Sequence, residues 1–185
     1  MMSSLRLVAL AMVIAASCVR PAGIAPALAA CPAPRQQTEG WRAVSESAGV
    51  TFRIPPAFVE RPSDEGAHRF HLRGDFSEYL LAGFIASSSP AEAMGRAPSP
   101  GMMEMTQCVD SIGGRQALVQ AWRTRGGTFR DGQRMDRYDV FAVVPVSPVL
   151  RFYIASGSHR RETQQLALAA VRTIVVAPAP PDTTR

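Results

Sequence analysis

Apolar and polar positions alternate with a period of two through most of the chain. Val50, Phe52 and Ile54 are separated by Thr51 and Arg53, the pattern of a strand with one buried face. Pro55-Pro56 ends it, because proline removes the donors that further pairing would need. His68, Phe70 and Leu72 alternate with Arg69, His71 and Arg73, predicting a half-buried strand with a cationic outer face that stops at Gly74-Asp75. Tyr79 to Ala86 is a continuous apolar run, as in a central strand. Met102–Ile112 and Arg115–Thr124 flank Gly113-Gly114, a dipeptide suited to a two-residue hairpin because both turn positions need positive φ. Arg134–Val144 and Val149–Ser156 form a further strand pair around Pro145 and Pro148.

One late segment changes period. Ser158 stands where an N-cap would, Glu162 falls in the first turn, and Leu166, Ala169, Ala170 and Thr173 recur at helical spacing. Thr173–Val176 follows as a short β-branched strand, and a brief earlier helix is expected from Thr38 to Ser47. The pattern predicts an α+β domain: a single, mostly antiparallel β-sheet with one long C-terminal helix packed on one face. The domain spans 41–176, between an extended proline-bearing tether at 31–40 and a disordered tail at 177–185. Such a stretch of 136 residues suffices for one core burying roughly two-thirds of its unfolded surface. Between strands lies Ser87–Gly101, with Pro90, Pro98 and Pro100; connections this long are usually functional or mobile.

The segment Phe52-Arg53-Ile54-Pro55-Pro56-Ala57-Phe58, the successive strand pairs, and the late helix Ser158–Val171 running into Arg172-Thr173-Ile174 together resemble the Mog1/PsbP-like fold over about 50–176. The resemblance includes secreted or lipid-anchored bacterial domains of that type. It implies a binding or assembly module, since members serve as photosystem accessory subunits, Ran-binding factors or secreted domains without a shared catalytic set. The matching positions are structural, so no functional residue carries over.

The first 30 residues read as an export signal. Arg6 precedes Leu7–Val19, an apolar run of 13 residues that at roughly 1.5 Å rise cannot cross a hydrocarbon core of roughly 30 Å. Ala27-Leu28-Ala29 offers a signal-peptidase site, whereas Leu28-Ala29-Ala30-Cys31 resembles a lipobox; Ala15-Ala16-Ser17-Cys18 is a second, poorer one. Both exits place the domain outside the cytoplasm, periplasmic, secreted or lipid-anchored. They differ in the fate of sulfur. Soluble export leaves Cys31 and Cys108 as a pair able to form a disulfide. Lipidation of Cys31 leaves Cys108 alone, and an anchor on Cys31 or Cys18 would be the protein's sole membrane contact.

Composition removes several chemistries. All 20 residues in the Lys+Arg count are Arg, so no ε-amine exists for a Schiff base or a phosphate-loop lysine. The formal charge is +5, and its densest stretch holds Arg123, Arg125, Arg130, Arg134 and Arg137, expected at a hairpin tip around 126–132. Arginine suits bidentate contact with carboxylate or phosphate, which makes these five the candidate contact for an anionic partner, an envelope protein or an anionic surface. Nucleic acid is not expected outside the cytoplasm. His68 and His71 lie three apart on a strand and so face opposite sides; no metal or other cofactor is expected. Ser158-His159 lacks a nucleophile elbow, the carboxylate pairs show no cleft, and Gly113-Gly114 and Gly126-Gly127 lie between strands, where hairpin turns account for them. Met102, Met103 and Met105 form a core row or an adaptable contact surface. The leading expectation is a non-enzymatic binding or assembly-assisting module of the cell envelope. One alternative is a hydrolytic or small-ligand-binding domain with a pocket under the 87–101 loop, where at least two of His68, His71, His159 and Glu104 converge. The other is a lipid-tethered structural domain.

Overall fold

A strand that alternates apolar and polar residues needs a second layer for its apolar face, and here two sheets and a helix supply those layers to one another. The computed structural model describes residues 29–32, 37–61, 67–87, 101–128 and 134–178. Most of the first 30 residues, Arg130 with the expected hairpin tip, the chain at 88–100 and the end of the tail lie outside the described residues. In chain order the elements are β1 (Arg42–Ser45), a single 3-10 turn (Ser47–Gly49), β2 (Val50–Ile54), β3 (Phe58–Arg61), β4 (His68–Leu72) and β5 (Asp75–Ala86). There follow β6 (Met102–Ile112), β7 (Arg115–Thr128), β8 (Arg134–Pro145), β9 (Leu150–Ser158), the helix α1 (Arg161–Arg172) and β10 (Val175–Val176).

The strands divide into two antiparallel sheets where one was expected. Seven pair in the order β3-β4-β5-β9-β8-β7-β6, and three form a small sheet, β1-β2-β10. The early helix is absent: Arg42–Ser45 pairs with β2 instead, Val44 opposite Phe52. The physical reason is the buried row of β2. Val50, Phe52 and Ile54 are fully buried because the small sheet stacks on the large one. Phe52 lies with its ring centroid 5.4 Å from Phe152 of β9 and 6.1 Å from Phe70 of β4. Phe84 closes on Phe152 from β5 at 5.3 Å.

Helix α1 covers the rest of the same face, over β8 and β9. Its buried side includes Ala169 and Ala170, as predicted, together with Gln164, Ala167 and Val171, while Leu166 is half-buried against the core and Thr173 is the C-cap. Gln164 is buried on the same side, its Nε2 donating to Trp122 O at 3.1 Å and Asp139 O at 3.0 Å. The N-terminus also differs. Ser158 ends β9, and Arg160 is the N-cap without a side-chain bond. Ser158 Oγ accepts the Arg160 N–H at 2.8 Å just ahead of the helix and is itself held by Glu78, a buried carboxylate of β5 that accepts the Ser158 hydroxyl and the His159 N–H, each at 2.7 Å.

Gly113 and Gly114 take φ of 57° and 73° and form the predicted hairpin turn, Ile112 opposite Arg115. Gly126, by contrast, is no turn: β7 continues to Thr128, and Gly126 (φ 69°) sits where the register with β8 shifts between Thr124 and Gly127, as at a glycine-containing bulge. The three methionines are half-buried or exposed on edge strand β6.

The N-terminal segment is fastened to that edge. Ala30 bridges to Val109 in parallel, with Cys31 N donating to Val109 O at 3.2 Å and Val109 N to Ala29 O at 3.0 Å. Cys31 and Cys108 form a disulfide, S–S 2.06 Å. Arg172, at the end of α1, donates to Pro32 O at 2.5 Å and pairs with Asp110 at 2.8 Å.

Phe152→Ala, which empties the point where the two sheets meet, is expected to cost about 3–5 kcal/mol; urea denaturation of the variant against the wild type measures it.

Candidate functional site

Side chains on a strand point alternately to its two faces, so the strand register assigns each residue. Phe70, Leu80, Ser156 and Val140 stand opposite one another across β4, β5, β9 and β8 and face α1 and the small sheet. The next row, Tyr79, Gly157, Asp139 and Trp122, crosses β5, β9, β8 and β7 on the other face. Beside it on that face runs Leu81, Ala155, Phe141 and Gln120. No described helix or second sheet packs over these two rows. A cavity of about 470 Å³ opens above them, within the size range of small-molecule sites.

The cavity has an apolar body and one polar corner. Leu81, Ile85, Phe141, Ala155 and Trp122 line the body. At the corner, Arg137 Nε donates to Asp139 Oδ1 at 2.7 Å and Arg137 Nη2 donates to the Tyr79 hydroxyl at 2.8 Å. Glycine at 157 makes this possible: a Cβ there would lie 2.7 Å from Arg137 Nη2 and 2.7 Å from the Tyr79 Cζ and hydroxyl oxygen. Asp139 is buried while Arg137 is half-exposed. Burial opposes the charge of Arg137, but Asp139 and Tyr79 together hold its pKa above the ordinary guanidinium value.

The five predicted arginines do not form one surface. Arg123 stands opposite Tyr138, on the helix side of the sheet, and Arg137 stands opposite Thr124, on the cavity side. Arg123 is engaged by two carboxylates: Nη1 to Glu104 at 2.7 Å, and Nε to Asp136 at 2.8 Å. Glu104, which has the left-handed φ of 52°, also binds Arg161 at 2.7 Å. Arg125 is exposed, Arg134 opens β8, and Arg130 is outside the described residues.

His68, His71, His159 and Glu104 do not converge, and none lines the cavity. His68 lies between Glu60, 2.6 Å from Nδ1, and Glu46, 3.3 Å from Nε2. His71 is on the opposite face of β4, its ring 5.5 Å from Phe76 and 6.3 Å from Tyr79, so the strand separates the two histidines as predicted. Among the described residues no group of three or more His, Cys, Asp or Glu is placed to hold a metal. The predicted pocket under the 87–101 loop has a partial counterpart, since Ala86 and Ser87 line the cavity. Its walls, however, are Trp122, Phe141 and Tyr79 rather than histidines. Sequence reasoning missed them because the apolar run of β5 and the alternation in β7 and β8 look the same whether a row faces a core or a cavity.

This arrangement defines a class: an antiparallel sheet, covered by a helix and a small sheet on one face and hollowed on the other, with a Mog1-like fold. The Ran-binding protein Mog1p of Saccharomyces cerevisiae superposes with a TM-score of 0.50 at 10% identity, over 74% of this chain and 95% of that one. LpqN, involved in cell envelope biogenesis of Mycobacterium tuberculosis, gives 0.49 at 14% identity over 79% and 90%. A protein from Bacteroides thetaiotaomicron VPI-5482 gives 0.49 at 8% identity over 71% of this chain, which spans only 46% of that protein's length. No family model and no curated protein sequence matches the chain.

His71 supplies a pH signature beside this site. Burial, then the nearby Arg69 and Arg61, pull its pKa below 6.5 and outweigh the hydrogen bond to Phe76 O. The folded state therefore holds its proton more weakly than the unfolded chain, so stability is full above 6.5 and declines as pH falls through the lowered value. The urea midpoint should drop across that window, and His71→Phe should flatten the drop.

Proposed function

We propose that this chain is an exported, non-enzymatic binding domain of the cell envelope that holds a small ligand in the cavity on the open sheet face. The cavity carries the reading: two side-chain rows from four strands line it, and glycine at 157 leaves room for its polar corner. The charge of Arg137 is matched by Asp139, which suits holding a ligand better than proton transfer. Export is supported by the leading apolar run and by the Cys31–Cys108 bridge, which spans 77 residues and belongs to an oxidising compartment. A sulfur engaged in that bridge cannot also carry a lipid, so the bridge favours soluble export over a tether on Cys31.

Two measurements test this. Intact mass of the protein recovered from outside the cytoplasm should show a chain starting near Ala30, unacylated, and lighter than its reduced form by the two bridging hydrogens. Cys108→Ser should lower its stability by about 2–4 kcal/mol. The neutral dye N-phenyl-1-naphthylamine should show saturable fluorescence enhancement with the wild type, lost in Ala155→Trp, which fills the cavity. No saturable signal from the wild type overturns the binding reading.

A further inference from the structure

The polar corner of the cavity offers donors. Arg137 uses Nε on Asp139 and Nη2 on Tyr79, and its Nη1 makes no bond among the described residues. The Tyr79 hydroxyl, having accepted from Arg137, keeps its own proton to donate. A guanidinium edge and a phenolic O–H, 2.8 Å apart and both lining one cavity, call for a ligand head made of acceptors. Asp139 already neutralises Arg137, which disfavours a head of two negative charges and leaves room for one of single charge. Arg123 shows the edges one guanidinium presents: it takes Asp136 along Nε, and at Nη1 it meets Glu104, which Arg161 also holds. At Arg137, which lines the cavity, the first carboxylate is Asp139, and Nη1 is the nitrogen that corresponds to the one holding Glu104.

Resting on the binding reading above, we infer that the ligand is a monocarboxylate with a flat apolar body, its carboxylate on Arg137 Nη1 and the Tyr79 O–H and its body against Phe141, Leu81 and Trp122. Charge-assisted bonds of this kind are the stronger ones, and the apolar wall contributes in proportion to the surface it removes from water. Gly157 sets specificity indirectly, because any side chain there would push the Tyr79 and Arg137 heads apart from their present positions.

The test is calorimetric titration of the disulfide-bonded chain with 2-naphthoate, its neutral amide 2-naphthamide, and 2-naphthylmethylammonium. The acid should bind at least about tenfold tighter than the amide, and the ammonium more weakly still. Tyr79→Phe, which deletes one oxygen and keeps the ring, and Arg137→Gln should each weaken the acid several-fold and by a larger factor than they weaken the amide, so that the preference for acid over amide shrinks. The Tyr79 variant keeps the test decisive even where Arg137→Gln, by stripping the buried Asp139 of its partner, fails to fold. Equal affinity for acid and amide, unmoved by Tyr79→Phe, overturns the carboxylate assignment while the dye signal upholds the cavity as a binding site. Absence of both dye and naphthalene binding overturns the two together.

Discussion

The contact of Phe52 with Phe152 and Phe70 is the constraint on which the architecture turns. A seven-stranded sheet has two faces, and the described residues supply one helix and three short strands with which to cover them. Placing three phenylalanine rings where β2 crosses β4 and β9 commits all of that covering material to one side. Helix α1 then has only the remaining part of that side, over β8 and β9, on which to bury Ala167 and Val171. Among the described residues no element is left for the other face. Its hollow is therefore a consequence of where the core was spent, and a binding site there requires no separate scaffold.

Buried polar groups tie the layers in register. Glu78 reaches from β5 to the β9–α1 junction, Gln164 reaches from α1 to two carbonyls of β7 and β8, and Thr173 Oγ1 accepts the Arg53 N–H of β2 at 2.8 Å while donating to Ala170 O at 2.7 Å. Each satisfies groups that would be costly to bury unpaired. Arg151 acts likewise within one hairpin, where its guanidinium is buried against the carbonyls of Ser147, Leu150 and Pro148. At the far edge, the disulfide and Arg172 hold the N-terminal segment against β6 and the end of α1, so the exposed edge of the sheet is partly sealed by the chain's own beginning.

Charge density along the sequence proved a poor guide to charged surfaces. Arg123 and Arg137 belong to the same basic stretch, yet strand alternation sends them to opposite sides, one into an ion-pair network with Glu104 and Asp136, the other into the cavity corner. What makes Arg137 chemically interesting is its company: Tyr79, 58 residues earlier, and a glycine on the strand between them. Linear spacing conveys none of this, because the three residues meet only through the register of β5, β9 and β8.

Local chemistry in the amino-acid sequence was sufficient for the strands, whose period of two reflects one wet and one dry face, for the Gly113-Gly114 turn, whose positive φ only glycine adopts cheaply, for the late helix, and for Cys31 and Cys108 as a candidate pair. These depend on residues near one another in the chain or on simple parity. The split into two sheets, the strand in place of the helix expected from Thr38 to Ser47, the partners of Gln164 and Glu78, and the cavity itself were decided by tertiary structure. The physical reason is common to all: an alternating strand specifies that one face must be buried but not against what, and a polar side chain specifies that it needs a partner but not which. Only the stacking of distant strands supplies those answers.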